Sequence, residues 1–327
     1  MTHATNPSRR KALVTAAASA AGLSLAGAGR FAFAQTKSTL RIGYQKYGTL
    51  TLLKARGDLD RRLAPLGVDV KWTEFPAGPV LLEGLNVGSI DFGTVGEAPP
   101  IFAQAAGADL VYVANQPPAP KGEAIIVHKD SPLKTVADLK GKKVVLNRGS
   151  NVHYLLVKAL EQAKVKYSEI QVVFLAPADA RAAFEKGAVD AWVIWDPFFA
   201  AAEKQLGARI LTDGTGLVAN HQFYLASRSY AEKSPQVVQA IIEELGKLDA
   251  WAAKNPNEVA KFLAPQIGLD LQVAEIAANR FAYGIQPISQ AVAADQQKIA
   301  DAFFELKLIP KAIKISDALP GTKLAAR

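Results

Sequence analysis

Three short loops carry residue types suited to holding a small anion. Gln45-Lys46-Tyr47-Gly48-Thr49, Gly96-Glu97-Ala98-Pro99 and Asn147-Arg148-Gly149-Ser150-Asn151 each place glycine and polar residues just ahead of a stretch with helical spacing. Open backbone N–H groups at a helix start, with hydroxyls and the helix dipole, bind an anion without a full counter-charge. A single loop of this kind is no more than a capped helix. Three at equivalent places in two blocks of chain point to a shared pocket. Trp195, in Val193-Ile194-Trp195-Asp196-Pro197, stands at a strand end beside a loop. There an indole either walls a pocket against an alkyl or aryl group or packs into the core. Asp179 and Arg181 open a helix, and either pair across a cleft or cap and solvate that helix.

Residues for bond-breaking chemistry are not arranged in this way. The four histidines, His3, His128, His153 and His221, show no metal-ligand spacing. The absence of cysteine excludes disulfides, thiolate metal sites and cysteine nucleophiles. There is no H-E-x-x-H, G-x-S-x-G or Walker loop. Gly214-Thr215-Gly216-Leu217-Val218-Ala219 fits G-x-G-x-x-A, but Phe223-Tyr224-Leu225 after it reads as strand where a dinucleotide site needs a helix. No metal and no cofactor are therefore expected. His153, on the helix after Ser150, is the residue that keeps an enzyme reading open.

The elements that must position these loops alternate along the chain. Strands are expected at 40–44, 68–75, 90–95 and 110–114, with helices at 50–63, 79–87 and 99–106 between them. A second block repeats the pattern. Its strands fall at 124–127, 143–146, 172–175 and 191–194, and its helices at 135–139, 151–163 and 178–186. A further strand is expected at 223–226, and 235–308 reads as mostly helical. This alternation predicts mainly parallel sheets covered by helices on both faces, with ligands at the carboxyl ends of the strands. The blocks also share a local echo. Asn86-Val87-Gly88-Ser89-Ile90-Asp91 and Glu185-Lys186-Gly187-Ala188-Val189-Asp190 each end a helix on glycine and open a strand with an apolar residue and Asp.

Composition bounds the rest. A chain of 327 residues that is 50% hydrophobic and 21% charged can bury large cores without staples, and its length suggests two domains. Net charge is +8, but Arg9, Arg10, Lys11 and Arg30 fall in residues 1–34, where no acidic residue stands, leaving +4 beyond. The remaining charges are interspersed, with no basic run of the nucleic-acid-binding kind. Residues 1–34 read as a signal peptide. Ser8-Arg9-Arg10-Lys11 is its charged region, 12–29 its apolar region and Ala32-Phe33-Ala34 its cleavage site, with Gln35 the new N-terminus. The paired arginines suggest twin-arginine export, although Ala12 stands where that motif has a bulky apolar residue, so the general secretory route stays open. No other segment approaches 18 uninterrupted apolar residues, so a soluble mature protein is expected.

Several stretches carry a family resemblance. Arg41-Ile42-Gly43-Tyr44-Gln45-Lys46, Glu74-Phe75-Pro76-Ala77-Gly78-Pro79, the segment 85–91, the segment 99–108, Thr135-Val136-Ala137-Asp138-Leu139-Lys140-Gly141, the segment 177–184 and Ile194-Trp195-Asp196-Pro197 together resemble the aliphatic-sulfonate-binding proteins of bacterial ABC importers. The resemblance runs from about 40 to 308. It implies an α/β periplasmic-binding-protein fold of the type with two crossovers, lobe 1 spanning 38–124 and 226–327 and lobe 2 spanning 125–225. It also implies a non-catalytic, monomeric periplasmic protein that closes on an alkanesulfonate for sulfur acquisition and delivers it to a membrane permease with its ATPase. Carried over by motif, Gln45, Gly48, Thr49, Gly96, Glu97, Gly149, Ser150 and Asn151 would surround the sulfonate, with Trp195 and Asp196 at the cleft. The loop at 47–50 carries a tyrosine and fewer serines than the family pattern. Glu97, being acidic, would meet a ligand amine or the far cleft wall. Taurine, nitrate or another small anion, and an enzyme of pyrimidine-precursor synthesis on the same fold, are the competing readings.

Overall fold

The computed structural model describes residues 38–321, so the proposed signal peptide lies outside the described residues. Ten strands form two five-stranded sheets. The first holds β1 (Ser38–Tyr44), β2 (Val68–Glu74), β3 (Phe92–Gly96), β4 (Leu110–Asn115) and β10 (Gln222–Ser227), in the order β2-β1-β3-β10-β4. The second holds β5 (Glu123–Val127), β6 (Lys143–Leu146), β7 (Gln171–Phe174), β8 (Ala191–Trp195) and β9 (Arg209–Asp213), in the order β7-β6-β8-β5-β9. The chain thus crosses between sheets twice, after β4 and after β9. Each crossing strand inserts antiparallel, β5 between β8 and β9 and β10 between β3 and β4. The expected mainly parallel sheets are found with this one reversal in each. Strands β3, β5 and β8 are buried at every position, as strands covered on both faces must be.

Helices cover both faces. On one side of the first sheet, α1 (Gly48–Arg56), α2 (Asp58–Leu63), α9 (Pro235–Ala252) and α10 (Pro256–Ile267) enclose a core that includes Leu40, Leu52 and Ile241. On its other side lie α3 (Gly78–Asn86), α4 (Pro99–Ala105) and α12 (Gln290–Glu305), around Leu81, Ile101 and Phe303. The second sheet has its own core, built with α5 (Asn151–Gln162), α6 (Pro177–Glu185) and α7 (Phe198–Leu206) around Leu155, Phe184 and Trp192. Two short helices complete the set, α8 (Arg228–Lys233) and α11 (Leu271–Arg280).

The sequence echo has a shared structural role. Asp91 Oδ2 accepts the Arg41 N–H at 2.8 Å, and Asp190 Oδ2 accepts the Lys143 N–H at 2.7 Å. Each aspartate ties the start of its strand, β3 or β8, to the neighbouring strand at the same place in its sheet. Two expectations are corrected. The helix expected at 50–63 is two helices, because Gly57 at φ +66° ends α1 in a left-handed turn. The segment after Trp195, given no elements, folds as α7 and β9.

Candidate functional site

A cleft opens where the carboxyl ends of β1, β3, β6 and β8 face one another. Gln45 and Tyr47 reach it from the loop after β1, Gly96 from the end of β3, Ser150 and Asn151 from the start of α5, and Trp195 and Asp196 from the end of β8. The two crossings supply Ala119, Gly122 and Asn220, β10 its first residue Gln222, and α11 adds Ala277 and Arg280, with Phe281 just after it. The enclosed space is about 30 Å3, room for a water-sized group.

Three helices begin at this cleft with their first N–H groups uncapped by a side chain. The N-cap residues are Tyr47 for α1, Ala77 for α3 and Ser150 for α5, and none caps its helix through a side-chain hydrogen bond. Ser150 Oγ instead donates to the Asn147 carbonyl at 2.7 Å. Uncapped helix starts leave backbone donors free and carry the positive end of the dipole. Helix α3 offers one donor fewer, since Pro79 at its second position has no N–H, and α4 two fewer, since Pro99 and Pro100 open it.

The charges beside the cleft are few and largely shared. The Arg280 guanidinium lies over the Phe199 ring, with Nη1 2.7 Å from Glu203 and 3.6 Å from Asp196. Asp196 accepts the Ala200 N–H at 2.9 Å, and its Oδ2 has no hydrogen-bond partner. Burial pushes its carboxyl up to about 7, against the pull of Arg280. Tyr47 Oη donates to Gln222 at 2.8 Å and accepts from Gln45 Nε2 at 3.2 Å.

An amide relay fixes the cleft wall. Asn220 Nδ2 donates to the Ala119 carbonyl at 2.8 Å, so its Oδ1 must accept, and it does so from Asn151 Nδ2 at 3.0 Å. Asn151 Nδ2 also donates to the buried Glu123 carboxylate. Both amide protons of Asn151 are spent, and its oxygen rests beside Gly96. A Cβ added at Gly96 would meet the Asn151 side chain at 2.9 Å, so glycine is what lets β3 and α5 approach this closely. Glu123 is raised well above the ordinary carboxylate range, first by burial and then by Glu97 nearby.

Of the ten residues expected from sequence, Gln45, Gly96, Ser150, Asn151, Trp195 and Asp196 line this cleft. Gly48 lines an adjoining pocket with Tyr47 and Phe281. The other three face elsewhere. Thr49 Oγ1 is buried against Asp249 at 2.6 Å and Gln116 at 2.9 Å. Gly149, at φ +72°, packs on the Phe102 ring. Glu97 lines a separate cavity behind the cleft wall. His153 also lies outside the cleft. Its Nδ1 accepts from the Gly149 N–H at 3.3 Å, its Nε2 is 2.8 Å from Tyr167 Oη, and burial lowers its pKa to about 3. Asp179 is not among the cleft-lining residues, and Arg181 bonds Glu185 and Gln205 on the surface. Sequence reading missed Arg280, Phe281, Asn220 and Gln222. Among the described residues, no group of three or more His, Cys, Asp or Glu residues could hold a metal, and no helix is long and apolar enough to cross a membrane.

Two similarly ordered sheets, two crossings and a cleft at their facing strand ends define a two-lobed binding-protein fold. The chain belongs to the NMT1/THI5-like family, whose model matches residues 65–259, and within it to the aliphatic sulfonates-binding proteins. It is 49% identical over 278 residues to an aliphatic sulfonates-binding protein of Escherichia coli (strain K12), covering 84% of this chain and 86% of that one. The solved structure of the alkanesulfonate-binding protein SsuA from Xanthomonas axonopodis pv. citri, bound to MOPS, superposes with a TM-score of 0.83 at 43% identity, covering 86% and 98% of the two chains. The periplasmic aliphatic sulphonate binding protein SsuA from Escherichia coli gives a TM-score of 0.79 at 47% identity over 87% and 92%.

Proposed function

We propose that this protein is the periplasmic substrate-binding component of an ABC importer and that it clamps an aliphatic sulfonate between its lobes. The observation that carries the reading is the convergence of three uncapped helix starts on one cleft that also holds Arg280. A sulfonate offers three acceptor oxygens and one delocalised charge. That demand suits many N–H donors and one shared cation better than a cluster of free cations. The first backbone N–H groups of the helices, that of Asn151 among them, take the head group in this reading, while the side chains of Gln45, Ser150 and Asn151, already committed within the protein, and Gly96 shape the pocket around it, with Arg280 beside it. Trp195 and Phe281 wall the alkyl tail, and Asp196 holds Arg280 in place. Thr49 and Gly149 act at one remove, by fixing the loops that start α1 and α5. Relatives named for sulfonate binding support the substrate class.

The enclosed space is too small for an alkanesulfonate, so entry needs the lobes to part. We place the lobe boundaries near 124 and 226, with both crossings serving as the hinge. The signal peptide at 1–34 sends the chain to the periplasm by the twin-arginine or the general secretory route. There it acts as a monomer, without catalysis or cofactor, and docks on a permease with its ATPase. The test is a thermal-shift panel of pentanesulfonate, an arylalkyl sulfonate, taurine, nitrate and sulfate. Ligand at 100 times its Kd adds ~2.7 kcal/mol to stability. Stabilisation by alkanesulfonates and not by sulfate or nitrate is expected. A shift with nitrate or taurine alone would replace the substrate, and no shift with any anion would remove the site.

A further inference from the structure

Helices α7 and α11 meet across the gap between the lobes. Helix α7 belongs to the second sheet, where Phe199 and Ala202 join the core. Helix α11 belongs to the first, where Ala274 and Ala278 join the core shared with α10. Gln205 Nε2, near the end of α7, donates to Asp270 Oδ2, at the start of α11, at 3.3 Å. Ala200 and Ala201 of α7, 0% and 1% exposed, pack with Val273 of α11. Arg280, the last residue of α11, then reaches into the second lobe.

This cation of one lobe has its partners on the other. Its guanidinium lies 4.2 Å from the centre of the Phe199 ring, and Nη1 is 2.7 Å from Glu203 and 3.6 Å from Asp196. The Glu203 contact is close without the alignment of a hydrogen bond, so it holds by charge. Both side chains are 21% exposed, which leaves the pair less screened than one in open water. On the far flank of the cleft the lobes meet differently. There α5 faces α4 and α12 through rings, His153 on Phe102 and Tyr154 on Phe303. The α7–α11 flank has only small apolar residues at its centre, so little hydrocarbon is exposed when it parts, and its charges weigh more. Glu203 is not among the cleft-lining residues, so its hold on Arg280 needs no ligand.

We propose that Arg280, seated between Glu203 and Phe199, latches the lobes together, and that Glu203 is a positioning residue that sets how long a bound ligand stays. The latch rests on the clamp reading, since it needs lobes that part, and adds to it a residue outside the cleft. Contacts made only in the closed arrangement raise the closed population, and affinity rises with that population.

The test has two readouts. Small-angle scattering of the ligand-free protein reads how far the lobes part, and stopped-flow tryptophan fluorescence with pentanesulfonate reads kon and koff. Glu203→Gln keeps the shape and removes the charge. It should enlarge the ligand-free radius of gyration and raise koff by about three- to tenfold, between the effect of an exposed ion pair and that of a buried charge-assisted bond, with kon unchanged or higher. Glu203→Lys, which sets a like charge against Arg280, should exceed it in both. The scattering needs no sulfonate, so a wrong substrate would leave the latch readable. Ligand-free radii equal to that of the wild type in both variants, or a lower kon at unchanged koff, would overturn the proposal.

Discussion

Arg280 sits where its charge is already shared, 2.7 Å from Glu203, 3.6 Å from Asp196 and stacked over Phe199. Such a cation is held in one orientation and contributes hydrogen-bond geometry as much as net charge. Replacing it removes charge-assisted hydrogen bonds worth about 1.5–3 kcal/mol. Arg280→Gln should therefore weaken alkanesulfonate binding by roughly 10- to 150-fold in calorimetric titration, and unchanged affinity would contradict its place beside the head group. The buried acids give a second prediction. Burial holds Glu97 at about 7 against an ordinary 4.5, and Asp196 at about 7 against 3.8. Between roughly pH 4 and 7 the folded chain keeps protons that the unfolded chain has lost. Stability should therefore fall as pH rises through that window. Glu97→Gln should flatten the fall by up to ~3 kcal/mol, read from urea unfolding at pH 4.5, 6 and 7.5. A profile as steep as that of the wild type would contradict the account.

At the scale of elements, the cleft depends on where helices start. Gly48 opens α1 at φ +69°, and a Cβ there would meet the Phe281 ring at 3.1 Å. Gly48→Ala should cost ~1–2 kcal/mol of stability and weaken ligand binding, since the strain falls on the first turn that faces the cleft. Urea denaturation and titration of the same preparation check both effects, and an unchanged midpoint would contradict the strain. The helix starts were readable in sequence because glycine, a polar residue and a change of periodicity coincide at 45–49 and 147–151. The strands were readable because buried strands such as Ile125–Val127 and Val144–Leu146 are unbroken apolar runs. Helix α7 and strand β9 were not, since Arg209–Asp213 is short and half-exposed and gives no clear alternation. Arg280 was hidden for another reason. It ends an ordinary amphipathic helix in the C-terminal helical region, and only the fold carries that helix end to the cleft. Thr49 and Glu97 show the converse, since adjacency in sequence to cleft residues placed them with the site while their side chains point into other packing.

Over the whole molecule, the same strand order appears in both sheets, with the crossing strand reversed in each, so the lobes are two copies of one plan joined at their reversed strands. The echo at Asp91 and Asp190 belongs to this plan and not to the ligand, which explains why a repeated motif far from the cleft was legible without being functional. Joining the lobes through two strands permits rotation about the crossings while each core stays packed. Small-angle scattering should show a smaller radius of gyration when the alkanesulfonate is bound, and an unchanged radius would argue against a closing clamp. The most direct test of the central claim is calorimetric titration of the purified protein with pentanesulfonate and, separately, with sulfate. The account predicts one saturable site for pentanesulfonate and no heat of binding for sulfate. Equal binding of both anions, or of neither, would contradict it.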